Sequence, residues 1–350
     1  MNDLQGLRVL VAGAGAIGSV TALVLRRCGA DVALRDPAAV GDNASGVAAG
    51  MLAPAFETLL DPVSADHFPL LAVARDLWLD LADTLPGGAD LIDRSGALYL
   101  AADEADLERR ARALAMLDPA CEVLGASQAT ALSPGLKGAP GLFTALDWRL
   151  APSSALAVLH RAFVEAGGRL ERGRVEGADQ AAVDVVVYAT GAAGLPAVAP
   201  EGRALQPIKG QIVRFDGAAP VGGPVVRAPG VYVCPSAEGA AVGATMQAGV
   251  NDRAIDPATT VSLQGAASAL FPALATAIPR AQAGVRAATP DGLPLAGPSR
   301  AGPKVILATG ARRNGWLLAP AMADVVAARL RGLDAGVFGQ AFDPDRFGYR

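Results

Sequence analysis

Hydrophobic and polar positions fall in blocks along this chain, and the first block is the clearest. Arg8 to Ala12 is a charge followed by an unbroken apolar run, the mark of a strand buried on both faces. GAGAIG follows at once, and from Ile17 to Cys28 the spacing predicts a helix, with Gly29 as its C-cap. Asp31 to Asp36, DVALRD, reads as a second strand. Strand, glycine turn, helix and strand in this order build a parallel sheet.

Later blocks are more varied. Leu70, Leu71, Leu77, Trp78 and Leu81 recur at helical spacing within Asp66 to Leu85, and Gly96 to Ala101 reads as a strand. Glu104 to Leu117 is an amphipathic helix with a charged outer face. Ser154 to Ala166 is a further helix, ended by Gly167-Gly168 and followed by the strand GRLERGRV. Asp184 to Ala189 is an apolar strand ending at Thr190-Gly191. Between Leu205 and Thr245 short β-rich pieces alternate with glycine and proline turns, as antiparallel strands do. An apolar strand returns at Val305 to Thr309, then GARRNG, then a helix from Trp316 to Arg331.

Composition narrows the class. Hydrophobic residues make up 52% of the 350, but much of that is alanine. The most apolar uncharged stretch, Val9 to Leu25, is interrupted by three glycines and reads as a fold element instead of a signal or a span. Net charge is −4 with no basic block, which argues against nucleic-acid binding. Cys28, Cys121 and Cys234 are scattered and odd in number, so neither a disulfide framework nor a zinc site is expected. Two histidines, His67 and His160, are too few for a histidine-rich metal centre and read as peripheral. No metal is expected, and the compartment reads as cytoplasmic.

The chemistry begins at Gly13, Gly15 and Gly18, a G-x-G-x-x-G at a strand-to-helix turn. The first glycine permits the turn, the second lets the backbone approach a pyrophosphate, and the third allows close helix–strand packing. With Ala16 and Ile17 they open a helix whose free N–H groups favour an anion. Asp36, 23 positions beyond Gly13, is placed to accept hydrogen bonds from ribose hydroxyls. Arg35 beside it suggests a 2′-phosphate and hence NADP, but the adjacent carboxylate would repel that group. The returns near residues 190 and 309 favour FAD, because a two-domain flavoprotein completes its nucleotide domain from separated segments.

Several segments, in their order and spacing, carry a family likeness: GAGAIG, Ala44–Pro54 (ASGVAAGMLAP), Gly96–Ala101, Asp147–Phe163 (DWRLAPSSALAVLHRAF), Pro207–Phe215 (PIKGQIVRF), Val231–Met246, Ala283–Gly297 (AGVRAATPDGLPLAG) and Thr309–Ala327. On these the chain resembles the D-amino-acid-oxidase superfamily of flavoproteins, most closely its glycine oxidase branch, which serves thiamine biosynthesis. The resemblance implies an α/β (α+β overall) fold. A Rossmann-like FAD-binding domain would be assembled from residues 1–85, 148–198 and 284–334. A substrate domain on a mainly antiparallel sheet would take 86–147 and 199–283, leaving 335–350 as a tail.

The same resemblance implies roles. Ser45, Ala48, Ala49 and Gly50 should line the pyrophosphate and flavin ring, and the backbone of Val175 should bind adenine. Thr190, Gly191 and Gly310 belong to the returning turns. Arg286 matches the arginine that grips a substrate carboxylate, and a planar guanidinium suits that task. Tyr232 matches a tyrosine that helps hold it, while Met51 and Met246 match apolar residues near ring and substrate. Arg313, Asn314, Gly315, Trp316 and Leu317 open the last helix, whose N-terminus should face the flavin. Where the glycine oxidases carry His-Phe, this chain has Ala311-Arg312, and its Tyr232-to-Met246 segment looks one residue shorter, so the substrate pocket should differ.

Neither a Ser/His/Asp nor a Cys/His arrangement is legible, nor a cluster of carboxylates, which fits chemistry carried by a cofactor. One of Arg312 and Arg313, just before a helix, should have cofactor or substrate as its anionic neighbour. Lys209 stands at the expected domain junction without an assigned role. The expected activity is oxidation of a small amino acid (glycine, sarcosine or a small D-amino acid) with dioxygen as electron acceptor. The alternatives are a dehydrogenase of the same superfamily that passes electrons to another acceptor and, more distantly, a non-catalytic dinucleotide-binding protein. A homo-oligomer without integral membrane association is implied.

Overall fold

The computed structural model describes residues 3–217, 222–236 and 239–348. Two main sheets organise them. The first runs, in spatial order, Leu295–Ser299, Gly302–Thr309, Val185–Tyr188, Arg8–Ala12, Asp31–Asp36 and Arg169–Arg172. All its pairings are parallel except that of Leu295–Ser299 with Gly302–Thr309. Val9 stands in register with Val185 on one side and Val32 on the other, so the central strand is apolar because it is covered on both faces.

The Ala16–Arg27 helix covers one face and packs against the Pro152–Glu165 and Gly315–Leu330 helices. Gly29 follows with φ +99°, as a helix-ending glycine should. Gly315–Leu330 is apolar nearly all round because it is buried on most sides. Its Trp316 carbonyl accepts a bond from Trp78 Nε1 at 2.7 Å, tying it to the Phe68–Asp83 helix. Among the described residues no helix is long and apolar enough to cross a membrane.

The second sheet has nine strands among the described residues, in the order Gln247–Ala248, Gln206–Asp216, Gly239–Gly243, Val231–Ser236, Val225–Ala228, Ala97–Leu100, Gly141–Thr144 and Glu122–Leu124. The ninth, Arg280–Ala288, pairs antiparallel with Gln206–Asp216 along nine residues. The sheet is antiparallel apart from the pairing of Val225–Ala228 with Ala97–Leu100. The changeover expected at residue 284 falls inside Arg280–Ala288, since RAQAGVRAA lacks the β-branched alternation that marks a strand. The Pro257–Leu270 helix, capped by Asp256, was also absent from the pattern reading, because its small and polar residues give a weak stripe.

Candidate active site

The glycine turn is built as its spacing requires. Gly13 has φ +105°, and a Cβ there would lie 2.5 Å from the Ala189 carbonyl oxygen. At Gly18 a Cβ would sit 1.8 Å from the Gly13 carbonyl oxygen, so both positions exclude a side chain. Asn43 caps the short Ala44–Val47 helix, and the Ser45 hydroxyl accepts the Ala16 N–H at 2.9 Å. That bond brings the Ala44–Pro54 segment over the opening of the Ala16–Arg27 helix.

Asp36 stands at the tip of its strand. Its carboxylate accepts the Ala14 and Ala38 N–H groups, each at 2.8 Å, which leaves it further lone pairs for a ribose. Arg35 is held by Glu171 and Asp179, both at 2.7 Å, so its charge is already matched and a 2′-phosphate has no claim on it. Val175 lies in the coil after Arg169–Arg172, whose last residue is the register partner of Asp36. Thr190 and Gly191 follow Val185–Tyr188, and Gly310 follows Gly302–Thr309. The Thr309 hydroxyl donates to Gly191 O at 3.1 Å, joining the two returning turns.

A cleft of about 120 Å³ runs along these turns, lined by Gly15, Ala16, Ile17, Ser45, Gly310 and Gly315 among others. At Gly191 and Gly315, both on its wall, a Cβ would meet nothing within 4 Å. Bare backbone therefore faces open space at a helix N-terminus, the cradle that an extended, phosphate-bearing cofactor needs. Ala48, Arg286, Arg313 and Trp316 line both this cleft and a larger cavity of about 540 Å³.

The larger cavity has the second sheet as its floor. Tyr99, Arg227, Tyr232 and Gly243 are register partners in succession across four strands. A Cβ at Gly243 would lie 2.4 Å from the Tyr232 hydroxyl, and one at Gly210 would lie 2.0 Å from Arg286 Nη1. Two glycines thus make the room in which these two side chains lie. Burial pushes the Tyr232 hydroxyl pKa above its ordinary value. Burial also lowers that of Arg286, whose hydrogen bonds are a long one to Thr245 O at 3.5 Å and a contact with Met246 Sδ at 3.7 Å. Among the described residues no carboxylate pairs with Arg286. Met51 and Met246 line the same cavity, as do Ala49, Gly50 and Asn314. Leu317 is fully buried behind the first turn of the last helix.

Beneath the opening of that helix lies an ionic cluster that pattern reading missed. Glu57, 4% exposed, accepts from Arg227 at 3.0 Å and from Arg313 at 3.2 Å. Burial alone would raise the Glu57 pKa, but Arg313 and Arg227 outweigh it and hold it below its usual value. Asp61, also buried, pairs with Arg312 and lies 3.9 Å from Arg313. Arg312 and Arg313 thus each have a protein carboxylate as an anionic neighbour. A carboxylate cluster does exist. Glu57 lies in the first turn of the Pro54–Leu60 helix and Asp61 caps its end, and only the fold brings them to Arg227, Arg312 and Arg313, far off in sequence.

Asp147 accepts the Ala55 and Phe56 N–H groups at the start of that helix, and burial pushes its pKa up to about 6. His160 is buried and its Nε2 lies 2.8 Å from the Ser19 hydroxyl, below the glycine turn, so the peripheral reading of it was wrong. Its helix turns that face inward against Ala16–Arg27. Lys209 is buried and bonds to Asp252 at 2.5 Å.

Comparison with known proteins agrees with this layout. Residues 8–329 match the DAO family, FAD dependent oxidoreductase. The chain is 35% identical over 339 residues to a Rhizobium etli protein named as a candidate thiamine biosynthesis oxidoreductase, ThiO, covering 93% of this chain and 96% of that one. It is 29% identical over 354 residues to a glycine oxidase of Pseudomonas putida, covering 93% and 95%. The crystal structure of glycine oxidase from Geobacillus kaustophilus superposes with a TM-score of 0.82 at 25% identity, covering 97% and 99%. Glycine cradle, returning turns and family match converge: this chain belongs to the DAO family of FAD dependent oxidoreductases.

Proposed function

We propose that the chain oxidises a small amino acid, such as glycine, sarcosine or a small D-amino acid, at its amine-bearing carbon. The observation that carries this reading is Arg286, a desolvated guanidinium without a carboxylate partner among the described residues, beside the Tyr232 hydroxyl where the cofactor cleft meets the large cavity. A buried cation without a partner is costly unless a ligand supplies the anion. A substrate carboxylate fits that need, with bidentate bonds from Arg286 and one from Tyr232.

Bound FAD would supply the acceptor for a hydride and the route for its electrons to dioxygen, with hydrogen peroxide as the product. The protein's share is positioning. Arg286 and Tyr232 fix the carboxylate, so that the Cα–H of the neutral amine is presented to the cleft. Gly210 and Gly243 keep those two side chains in place. Arg313, held by Glu57, and the N-terminus of Gly315–Leu330 set a positive potential at the junction, which favours negative charge there. Water that reaches the large cavity converts the imino product to the oxo acid, releasing ammonia from a primary amine and methylamine from sarcosine. The resemblance supports, as part of the same proposal, a place in making the thiazole of thiamine.

The residues that would hold the flavin are Ser45 to Gly50 over the ring, the glycine turn at the pyrophosphate, and Asp36 and Val175 at the adenosine end. The purified yellow protein, mixed with glycine, sarcosine and D-alanine without oxygen, should lose its flavin colour with at least one of them. Admitting oxygen should restore the colour with peroxide formed. Bleaching without recovery in oxygen would point to a dehydrogenase that passes electrons to another acceptor, and no bleaching with any amine would reject the reading.

A further inference from the structure

The amine-oxidation reading leaves one wall of the large cavity without a role. Arg227 stands there, 3% exposed, between Tyr232 and Tyr99 in register. Its Nη1 donates to Glu57, whereas the acceptor for Nη2 is the thioether of Met51 at 3.3 Å. Thioether sulfur is a weak acceptor. Among the described residues the Nε of Arg227, which is buried, has no partner. Glu57 is shared with Arg313, Asp61 pairs with Arg312, Asp106 with Arg110, and both oxygens of Asp147 accept backbone amides. A desolvated guanidinium is therefore built into the cavity wall on the opposite side of Tyr232 from Arg286; unlike Arg286 it has a carboxylate partner, yet its Nε is unused and its Nη2 meets only a thioether.

Three strand steps of about 4.8 Å separate the backbone of Arg227 from Gly210, above which the Arg286 head lies. A ligand bridging both arginines has its two acidic groups several bonds apart.

Resting on the oxidation reading, we propose that the preferred substrate is an amino dicarboxylate: one carboxylate on Arg286 and Tyr232, the second on Arg227, with Met51 displaced from Nη2. The second carboxylate belongs either to a substituent on the amine nitrogen or to an acidic side chain.

The test uses the holoenzyme and reads dissociation constants from the change each ligand causes in the flavin absorption spectrum. Acetate is compared with succinate and glutarate as non-reacting probes, and glycine with iminodiacetate and D-glutamate as substrates. The dicarboxylates should bind at least tenfold more tightly than acetate. That preference should fall close to one in Arg227→Leu and to an intermediate value in Arg227→Lys. Should Arg227→Leu not fold, Arg227→Gln, which leaves Glu57 paired with Arg313, takes its place. Turnover of iminodiacetate against D-glutamate separates the two positions for the second carboxylate. Equal binding of acetate and dicarboxylates, or a preference that survives loss of Arg227, would overturn the proposal. Failure of every amine to bleach the flavin would instead reject the oxidation reading, and the binding series would still decide the role of Arg227.

Discussion

The glycine turn and the floor of the large cavity are built on opposite principles. At the turn, Gly13, Gly15 and Gly18 lie within six residues, and backbone does the work: missing side chains, free N–H groups and a helix end. On the cavity floor Tyr99, Arg227, Tyr232 and Gly243, joined there by Arg286, come from five strands, and side-chain charge does the work. The first design tolerates no added atom. The second tolerates changes of shape but is sensitive to any change in the balance of buried charge.

Substitutions can break this contrast, beginning with the largest effect. Gly18→Ala places a Cβ 1.8 Å from the Gly13 carbonyl oxygen, where backbone cannot yield cheaply. The variant should purify without flavin, or with flavin binding weakened at least ~100-fold, about 3 kcal/mol. Titration of FAD into the apoprotein measures it. Arg286→Ala should keep its flavin yet lose about 2–5 kcal/mol of substrate recognition, a fall in kcat/KM from about 30-fold to a few thousandfold.

Glu57→Gln should destabilise the fold by about 3 kcal/mol at pH 7 in urea melts, because Arg227 and Arg313 lose their shared carboxylate. Since the folded pKa of Glu57 is depressed, its stabilisation is complete above the unfolded value of about 4.5 and disappears as pH falls through the lower folded value. The gap between wild type and Glu57→Gln should therefore narrow only below about pH 4.5. A gap constant from pH 7 to pH 3 would contradict the charge assignment. Tyr232→Phe is expected to have the smallest effect, about 1.5 kcal/mol or a roughly tenfold rise in KM, with flavin content unchanged.

The same contrast explains what the sequence could reveal. The strand Asp31–Asp36 and the helix Glu104–Leu117 were legible to the residue, because each satisfies its own periodicity and cap. The turn was legible because its geometry is local. Arg280–Ala288 was not read as a strand, since its glycine and alanines are chosen by neighbours: Gly284 lies under Ala44, where a Cβ would come within 3.2 Å. Glu57 with Arg227 and Arg313, and His160 with Ser19, are pairs from distant segments, and nothing in spacing announces them. Arg286 and Tyr232 were singled out through family likeness, and the physical reason for them, Gly210 and Gly243 beneath, is visible only in the folded sheet.

The central claim is that Arg286 anchors an amino-acid carboxylate beside FAD. Anaerobic stopped-flow bleaching of wild type and Arg286→Ala over a range of glycine or iminodiacetate concentrations tests it most directly. The account predicts saturable bleaching in wild type and a concentration for half-maximal rate raised at least ~30-fold in the variant, with flavin still bound. Superimposable curves for the two proteins, or a wild-type flavin that neither amine reduces, would contradict it.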